Sequence, residues 1–302
     1  MLHVLNKLLL LKVESMQMAK SSLVQSLLVS FHIPCLIECS YLTFPQFVDR
    51  VDECMATAAA AGVSQVITVS TSSPDAVACQ RVANAHPAVW FSAGLHPLHC
   101  DDPNDWDQMR ACATDPRCVA WGELGLDRFH PQPSLDRQRA ALDAHLDHIT
   151  QWTARGLAKP IIIHCRDAFD DLIPVLKASG LPSHRFVFHC FTAGPRELQM
   201  LLEFGASVSF TGVATYRNAP ALREAIALVP LDRMMVETDA PFLSPEPVRS
   251  VRPCEPAFVV HTARAIAALR GMPAAELESI LDRNARAFFG LPTPDGRGSL
   301  AS

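Results

Sequence analysis

Two histidines and two carboxylates stand at the ends of short apolar segments that are far apart in the sequence. They are Glu123, His164, His189 and Asp239. Neutral imidazoles together with carboxylates are common ligands of zinc, manganese and iron. A bound cation lowers the pKa of its water and polarises a phosphoryl or carbonyl oxygen, while a carboxylate accepts a proton. A single histidine at a strand end is more often structural, so the four residues together predict a metal centre for hydrolysis.

The elements that must bring these residues together alternate regularly from residue 35 onward. The apolar segments, predicted as strands, are 35–39, 65–70, 89–93, 119–122, 160–164, 185–189, 206–210 and 234–238. The amphipathic segments, predicted as helices, are 46–61, 74–85, 105–114, 134–154, 168–178, 195–204, 217–227, 255–270 and 274–289. Continuous apolar strands are typical of parallel sheets covered by helices. Eight such units predict an α/β protein with a (β/α)8 TIM-barrel fold, in which catalytic residues lie at the carboxyl ends of the strands.

An open doubly wound sheet is the alternative fold, but such sheets usually carry a glycine-rich phosphate turn, and the sequence contains no GxGxxG motif. We expect one barrel domain over residues 34–291. Residues 1–33 are predicted to be an atypical amino-terminal extension, and residues 292–302 a flexible carboxyl-terminal tail.

Composition limits the classes of function. Hydrophobic residues make up 49% of the 302 residues and charged residues 19%, which is typical of a folded globular protein. The net charge of −5 excludes a broadly basic surface that holds nucleic acid by electrostatics alone. Ten scattered cysteines without a CxxC pair indicate free thiols in a reducing cytoplasm. The apolar runs are too short for a membrane helix, so we expect a cytoplasmic monomer without a membrane partner.

Seven motifs give the sequence a family resemblance over residues 36–291. They are GLHP at 94–97, GELGLD at 122–127, IHCRDA at 163–168, HCFTAG at 189–194, ETDAPFL at 237–243, EPAFVV at 255–260 and NARAFFGL at 284–291. With these motifs the sequence resembles the TatD family of metal-dependent hydrolases and deoxyribonucleases, which are amidohydrolase-like barrels. The resemblance implies one or two divalent cations (Mg, Mn or Zn) and DNA as the substrate.

The resemblance also implies roles for single residues. Glu123 would bridge two metals, and His164 and His189 would bind the second one. Asp239 would be both a metal ligand and the general base. His96 would stand near the active site as a substrate-binding or supporting residue.

Arg166, next to His164, has two interpretations. It could contact a phosphate oxygen of the substrate, or it could be paired with Asp167 or Asp127 as structural support.

The sequence departs from the family in its first strand. There the family has a His-x-His pair that binds the first metal, and residues 36–44 of this chain contain no histidine. Cys39 or Tyr41 could substitute as a ligand, although both are more simply interpreted as strand residues. Either the first metal site is lost, or the reading frame starts differently from the family's. The second-metal set of Glu123 and the two histidines is complete.

The predicted function is metal-dependent hydrolysis of phosphodiester bonds, as in a TatD-like deoxyribonuclease. Two alternatives remain open at this point. One is a catalytically impaired barrel that acts as a binding protein, which the absent His-x-His pair motivates. The other is a hydrolase of a different ester or amide bond, because fold analogy does not identify a substrate.

Overall fold

Eight parallel strands form one sheet in residues 36–292, the part of the chain that the structure, a computed structural model, describes. Each strand pairs with the next along the chain. The strands are β1 (Leu36–Ser40), β2 (Gln65–Thr68), β3 (Val89–Ala93), β4 (Cys118–Asp127), β5 (Ile161–Arg166), β6 (Phe186–Phe188), β7 (Ser207–Phe210) and β8 (Met234–Val236). The predicted extension at 1–33 and most of the predicted tail at 292–302 lie outside the described residues.

Contacts between the end of β1 and the segment that follows β8 close the sheet into a barrel. Ser40 forms a parallel bridge with Ala240, and the amide of Tyr41 donates to the carbonyl of Ala240 at 2.8 Å. Closure leaves no edge strand exposed and turns one face of every strand inward. The predicted (β/α)8 TIM barrel is therefore confirmed.

Nine α-helices within the described region surround or close the barrel. They are α1 (Val51–Ala60), α2 (Ser73–Ala85), α3 (Trp106–Ala113), α4 (Leu135–Ala154), α5 (Phe169–Ala178), α6 (Pro195–Phe204), α7 (Pro220–Leu228), α8 (Val259–Arg270) and α9 (Ala274–Phe289). The first begins later than the sequence predicts, because residues 42–50 form successive turns around Pro45. No helix of residues 36–292 has the length and apolar character needed to cross a bilayer.

Strand β4 is longer than the sequence predicts, and this changes the position of Glu123. The apolar segment suggested a strand at 119–122, yet the strand runs to Asp127 and is buried along its whole length. Gly122 and Gly125 have φ values of +132° and +154°, which β-carbon-bearing residues avoid. A shift in register between Trp121 and Leu124 accommodates them. Glu123 therefore belongs to the strand itself.

Helix α9 closes the amino-terminal end of the barrel, called here the bottom. Its residues Ala285 and Phe289 pack with the inward-facing residues Ile162, Val187 and Met235. The interior of the barrel is thus a filled core, as in other TIM barrels.

A buried arginine, Arg286, attaches helix α9 to the barrel. Arg286 is 6% exposed, and its Nε lies 2.9 Å from both carboxylate oxygens of Asp282. Its guanidinium also donates to Ser64 and Gln65 at the start of β2 and to the carbonyl of Pro292. These bonds tie the end of α9 to the first half of the barrel.

We predict that Phe289→Ala destabilises the protein by about 3–5 kcal/mol, since it removes a ring that fills the bottom of the core. Urea unfolding followed by circular dichroism measures the change. The control is Leu228→Ala, which truncates a side chain that is 63% exposed and should change stability by less than about 0.5 kcal/mol. Equal effects of the two substitutions would show that α9 does not contribute to the core.

Candidate metal centre

The carboxylate of Glu123 lies at the centre of a cluster of polar side chains and is fully buried. Its Oε1 lies 2.5 Å from His189 Nε2, 2.7 Å from His164 Nδ1 and 3.3 Å from His96 Nε2. The hydroxyl of Tyr41 donates to the other oxygen, Oε2, at 2.8 Å. Both oxygens therefore have partners, and all three imidazoles lie around Oε1.

The strands of the barrel position these residues at its carboxyl-terminal end, called here the mouth. His96 follows β3, Glu123 lies within β4 and His164 within β5. His189 comes directly after β6, and Asp239 follows β8. Parallel strands end on one side of a barrel, which is why residues far apart in sequence meet there.

Close backbone approach between neighbouring strands makes this arrangement possible. A β-carbon on Gly94 would lie 2.2 Å from the carbonyl carbon of Gly122, and one on Gly125 would lie 1.8 Å from the carbonyl oxygen of His164. Both distances are far below van der Waals contact. Glycine at these two positions lets β3, β4 and β5 bring Glu123 next to the imidazoles.

The donor atoms have the spacing of a metal site. His96 Nε2, Glu123 Oε1 and His164 Nδ1 all lie within 4.8 Å of one another, and the two imidazole nitrogens are 3.2 Å apart. His189 Nε2 lies 3.4 Å from the same His164 nitrogen. Ligands bound at about 2.0–2.2 Å around a tetrahedral cation lie roughly 3.3–3.6 Å apart. The imidazole nitrogens have this spacing, whereas Glu123 Oε1 lies closer, at hydrogen-bond distance from His164 and His189. His96, Glu123 and His164 therefore form a candidate site for one divalent cation, and His189 lies beside them.

The charges in the cluster balance one another. Burial alone raises the pKa of Glu123, but the charge of His189 and hydrogen bonds from the imidazoles outweigh it and hold the pKa well below its usual value. Burial lowers the pKa of His189, yet the facing Glu123 carboxylate raises it to about 10. Burial lowers the pKa of His96 to about 4, so this imidazole is neutral at pH 7 and offers a lone pair to a cation.

A further carboxylate orients His164. Its Nε2 lies 3.1 Å from Asp127 Oδ2, so the ring is held between Asp127 and Glu123. A carboxylate behind a histidine fixes the tautomer and the direction of a metal ligand. The buried Glu237 lies 3.7 Å from His189 Nδ1, beyond hydrogen-bond distance. Sequence reasoning did not assign the orienting role to Asp127, although this acid belongs to the motif GELGLD.

Asp239 lies in the same pocket but outside the group of four donors. Its carboxylate is 3.9 Å from the thiol of Cys190, and its backbone has a φ of +58°. Burial raises the pKa of Asp239 to about 7. The pocket at the mouth has a volume of about 460 Å³ and is also lined by His96, His164 and Arg166.

Arg166 lies exposed at the rim of this pocket, and its guanidinium carbon is 4.5 Å from the centre of the Phe129 ring. Within the described residues it forms no ion pair with Asp167 or Asp127. The carboxylate of Asp127 binds His164 and His130 instead. The structure thus leaves Arg166 available to a ligand in the pocket.

Aromatic residues occupy the side of the mouth next to β1, where the family's His-x-His pair is absent. Tyr41 stacks on Phe44 with ring centres 4.6 Å apart, and Phe242 contacts both rings edge to face. The side chain of Cys39 lies outside the described part of the structure. Tyr41 directly follows β1, and its hydroxyl donates a hydrogen bond to Glu123.

A TIM barrel whose mouth gathers three imidazoles around a buried carboxylate defines the class of metal-dependent barrel hydrolases. Residues 40–290 match the family model "TatD related DNase". The chain belongs to the TatD family, and it is a metal-dependent hydrolase.

Individual relatives support this assignment. The chain is 36% identical over 239 residues to the "Uncharacterized metal-dependent hydrolase YcfH" of Escherichia coli K12, covering 79% of this chain and 88% of the relative. It is 35% identical to the "3'-5' ssDNA/RNA exonuclease TatD" of Klebsiella pneumoniae 342, covering 83% and 95%. The crystal structure of YJJV, a TatD homologue from E. coli K12, superimposes with a TM-score of 0.79 at 26% identity, covering 86% and 100%.

We predict that Tyr41→Phe lowers the free energy of unfolding by about 1.5–3 kcal/mol, because its hydroxyl donates to a charged, buried acceptor. The matched control is Tyr216→Phe, which removes a hydrogen bond to the neutral carbonyl of Ser244 and should cost about 0.5–1.5 kcal/mol. Urea unfolding in EDTA compares them. A smaller loss in Tyr41→Phe than in the control would contradict the contact with Glu123.

Proposed function

We propose that this protein hydrolyses phosphodiester bonds of DNA, with single strands as its preferred substrate, at a centre that holds one divalent cation. The observation that carries the proposal is the convergence of His96, His164 and His189 on Oε1 of Glu123, at the base of an open pocket. The name of the Klebsiella relative, which describes an exonuclease of single-stranded DNA and RNA, supports the substrate class.

The inference of one cation rather than two rests on the contacts of the two oxygens of the Glu123 carboxylate. Its Oε1 faces all three imidazoles, whereas its Oε2 accepts the hydrogen bond from Tyr41. A bridging role would need Oε2 to bind a second cation, and the phenol of Tyr41 stands at that oxygen. We infer that His96 is a further ligand of this one cation, together with Glu123, His164 and His189.

The cation, Mg²⁺, Mn²⁺ or Zn²⁺, would supply Lewis acidity for a phosphoryl oxygen and make a water more acidic. Asp239 would accept the proton of that water, because a buried carboxyl with a pKa near 7 exchanges protons readily at neutral pH. The resemblance also gives Asp239 a second role as a ligand. Asp127 would hold the imidazole of His164 in direction, and Arg166 would bind a phosphate oxygen from the rim.

The rim of the pocket favours an unpaired strand. Phe129 and Phe242 are 59% and 48% exposed, and both line the pocket. Aromatic rings stack on nucleobases without regard to sequence, provided the bases are not already stacked in a duplex. Arg166 lies beside the Phe129 ring, so a nucleotide could place its phosphate on Arg166 and its base against Phe129.

Location in the cytoplasm and a monomeric state remain predictions for this protein. The eight cysteines whose side chains the structure describes are free thiols, which supports a reducing compartment.

We predict that the protein binds one Mn²⁺ or Zn²⁺ per chain. Glu123→Gln should weaken this binding by at least about 100-fold, because it removes the carboxylate from a set of ligands that otherwise consists of imidazoles. Isothermal titration of EDTA-dialysed protein measures affinity and stoichiometry. The control Glu224→Gln alters an exposed glutamate of α7 and should leave both unchanged. Two cations of similar affinity would overturn the role given to Tyr41.

Cleavage of a labelled single-stranded oligonucleotide tests the activity. We expect cleavage that EDTA abolishes and that Asp239→Asn slows by at least about 100-fold, because the proton acceptor is lost. The control Asp147→Asn changes an exposed aspartate of α4 and should keep full activity. Metal affinity of Asp239→Asn separates the two roles: unchanged affinity indicates a base, and lost affinity a ligand.

Failure of the folded, metal-loaded protein to cleave either single- or double-stranded DNA would contradict the proposal. Such a result would favour the binding-protein alternative, since the metal centre would then be present without turnover. Cleavage of duplex DNA faster than single strands would leave the chemistry intact and refute the preference.

A further inference from the structure

A second cavity lies at the bottom of the barrel, on the opposite side from the metal centre. It has a volume of about 630 Å³, which is within the usual range of about 300–1,000 Å³ for small-molecule sites. Its walls are formed by the segments around the starts of β5, β6 and β8, by the first residue of β7 and by the last half of α9. We call it the basic cavity, and its charged or titratable lining residues are Lys159, His184, Arg185, Asp232, Arg233 and Arg283.

The charge of this cavity is unusual for the protein. Four of its residues are arginine or lysine and one is an aspartate, whereas the whole chain has a net charge of −5. None of the four cations lies in an ion pair with a carboxylate of the described residues, although many other arginines do. The cavity therefore concentrates positive charge that the neighbouring protein does not neutralise.

Three of these cations are half-buried and fixed by the backbone. Arg185 Nε donates to the carbonyl of Lys159 at 3.0 Å, and Lys159 Nζ donates to the carbonyl of Cys118 at 2.6 Å. Arg233 donates to the carbonyl of Gly205 at 2.5 Å. Burial lowers the pKa of Arg185, and no acidic group of residues 36–292 offsets that effect. Carbonyl oxygens orient the cations without cancelling their charge.

The remaining wall of the basic cavity is apolar. Met235, Ala287 and Phe288 line it, and Met235 is only 3% exposed. The amide of Asn284 is used internally, since it donates to the carbonyls of Leu231 and Met234 at 2.6 and 2.9 Å. A ligand that fits must therefore combine an anionic group with an apolar or planar part.

We propose that the basic cavity binds a small phosphorylated molecule of nucleotide size, with its phosphate on the cations and its planar part against Phe288. Guanidinium groups bind phosphate through paired hydrogen bonds, and ammonium groups bind it as point charges. The site is separate from the metal centre and does not rest on hydrolytic activity.

Equilibrium dialysis or calorimetry of the full chain with AMP tests this, in EDTA so that the metal centre cannot hold the phosphate. We expect one AMP per chain, competition by inorganic phosphate, and binding of uncharged adenosine at least about tenfold weaker. If inorganic phosphate binds as tightly as AMP, the apolar wall takes no part, and the assignment to a nucleotide-sized ligand is wrong.

Arg283→Glu locates the site. Arg283 is exposed on α9 and contacts no described residue through a hydrogen bond or ion pair, so its reversal leaves the fold intact. It should weaken AMP binding by at least about tenfold. The control Arg81→Glu makes the same charge change on α2 and should have no effect.

Three results would overturn the proposal. They are no binding of AMP or phosphate at millimolar concentration, equal binding by the two charge-reversal variants, and binding that requires a divalent cation and disappears in Glu123→Gln. The last result would assign the nucleotide to the metal centre. Circular dichroism and the unfolding midpoint verify that each variant is folded.

Discussion

The burial of one negative charge organises the mouth of this barrel. Glu123 is completely removed from solvent, and an ionised carboxylate in such a place costs several kcal/mol unless it is compensated. Its partners come from four places in the chain, after β1, after β3, within β5 and after β6. The charge is tolerated only when the barrel is closed and these segments meet. Stability and chemistry therefore depend on the same contacts.

The departure at β1 changes the use of that carboxylate without leaving it unsatisfied. Where the family resemblance implies a pair of imidazoles, this chain presents the phenol of Tyr41 and the rings of Phe44 and Phe242. A phenol supplies one hydrogen bond and a large apolar surface. The aromatic group thus maintains packing and closure on this side. The chain keeps a well-formed mouth without the imidazole pair that the resemblance implies.

Much of this arrangement could be predicted from the sequence, and the reasons are local. The strands are continuous apolar segments separated by amphipathic ones, so their number and order follow from hydrophobic patterning. The site residues predicted at strand ends, including His164 and His189, do lie at the mouth, because parallel strands share one direction.

The other features of the fold and the site depend on contacts between distant segments, which no local sequence pattern predicts. Strand β4 extends to Asp127 because two glycines in it adopt positive φ values. From the sequence alone, these glycines indicate the start of a loop. The orienting role of Asp127 depends on the ring direction of His164, and that of Tyr41 on barrel closure. The basic cavity combines residues from five separate segments that no motif connects.

The closing helix α9 has a consequence for biogenesis. It follows all eight strands in the chain, and it covers the apolar interior of the barrel with Ala285 and Phe289 while Arg286 fastens it to β2. A nascent chain on the ribosome therefore presents an uncapped apolar barrel until this helix has been synthesised. Such surfaces attract chaperones and favour aggregation. The barrel can reach its final state only once translation has passed its last strand and the helix after it.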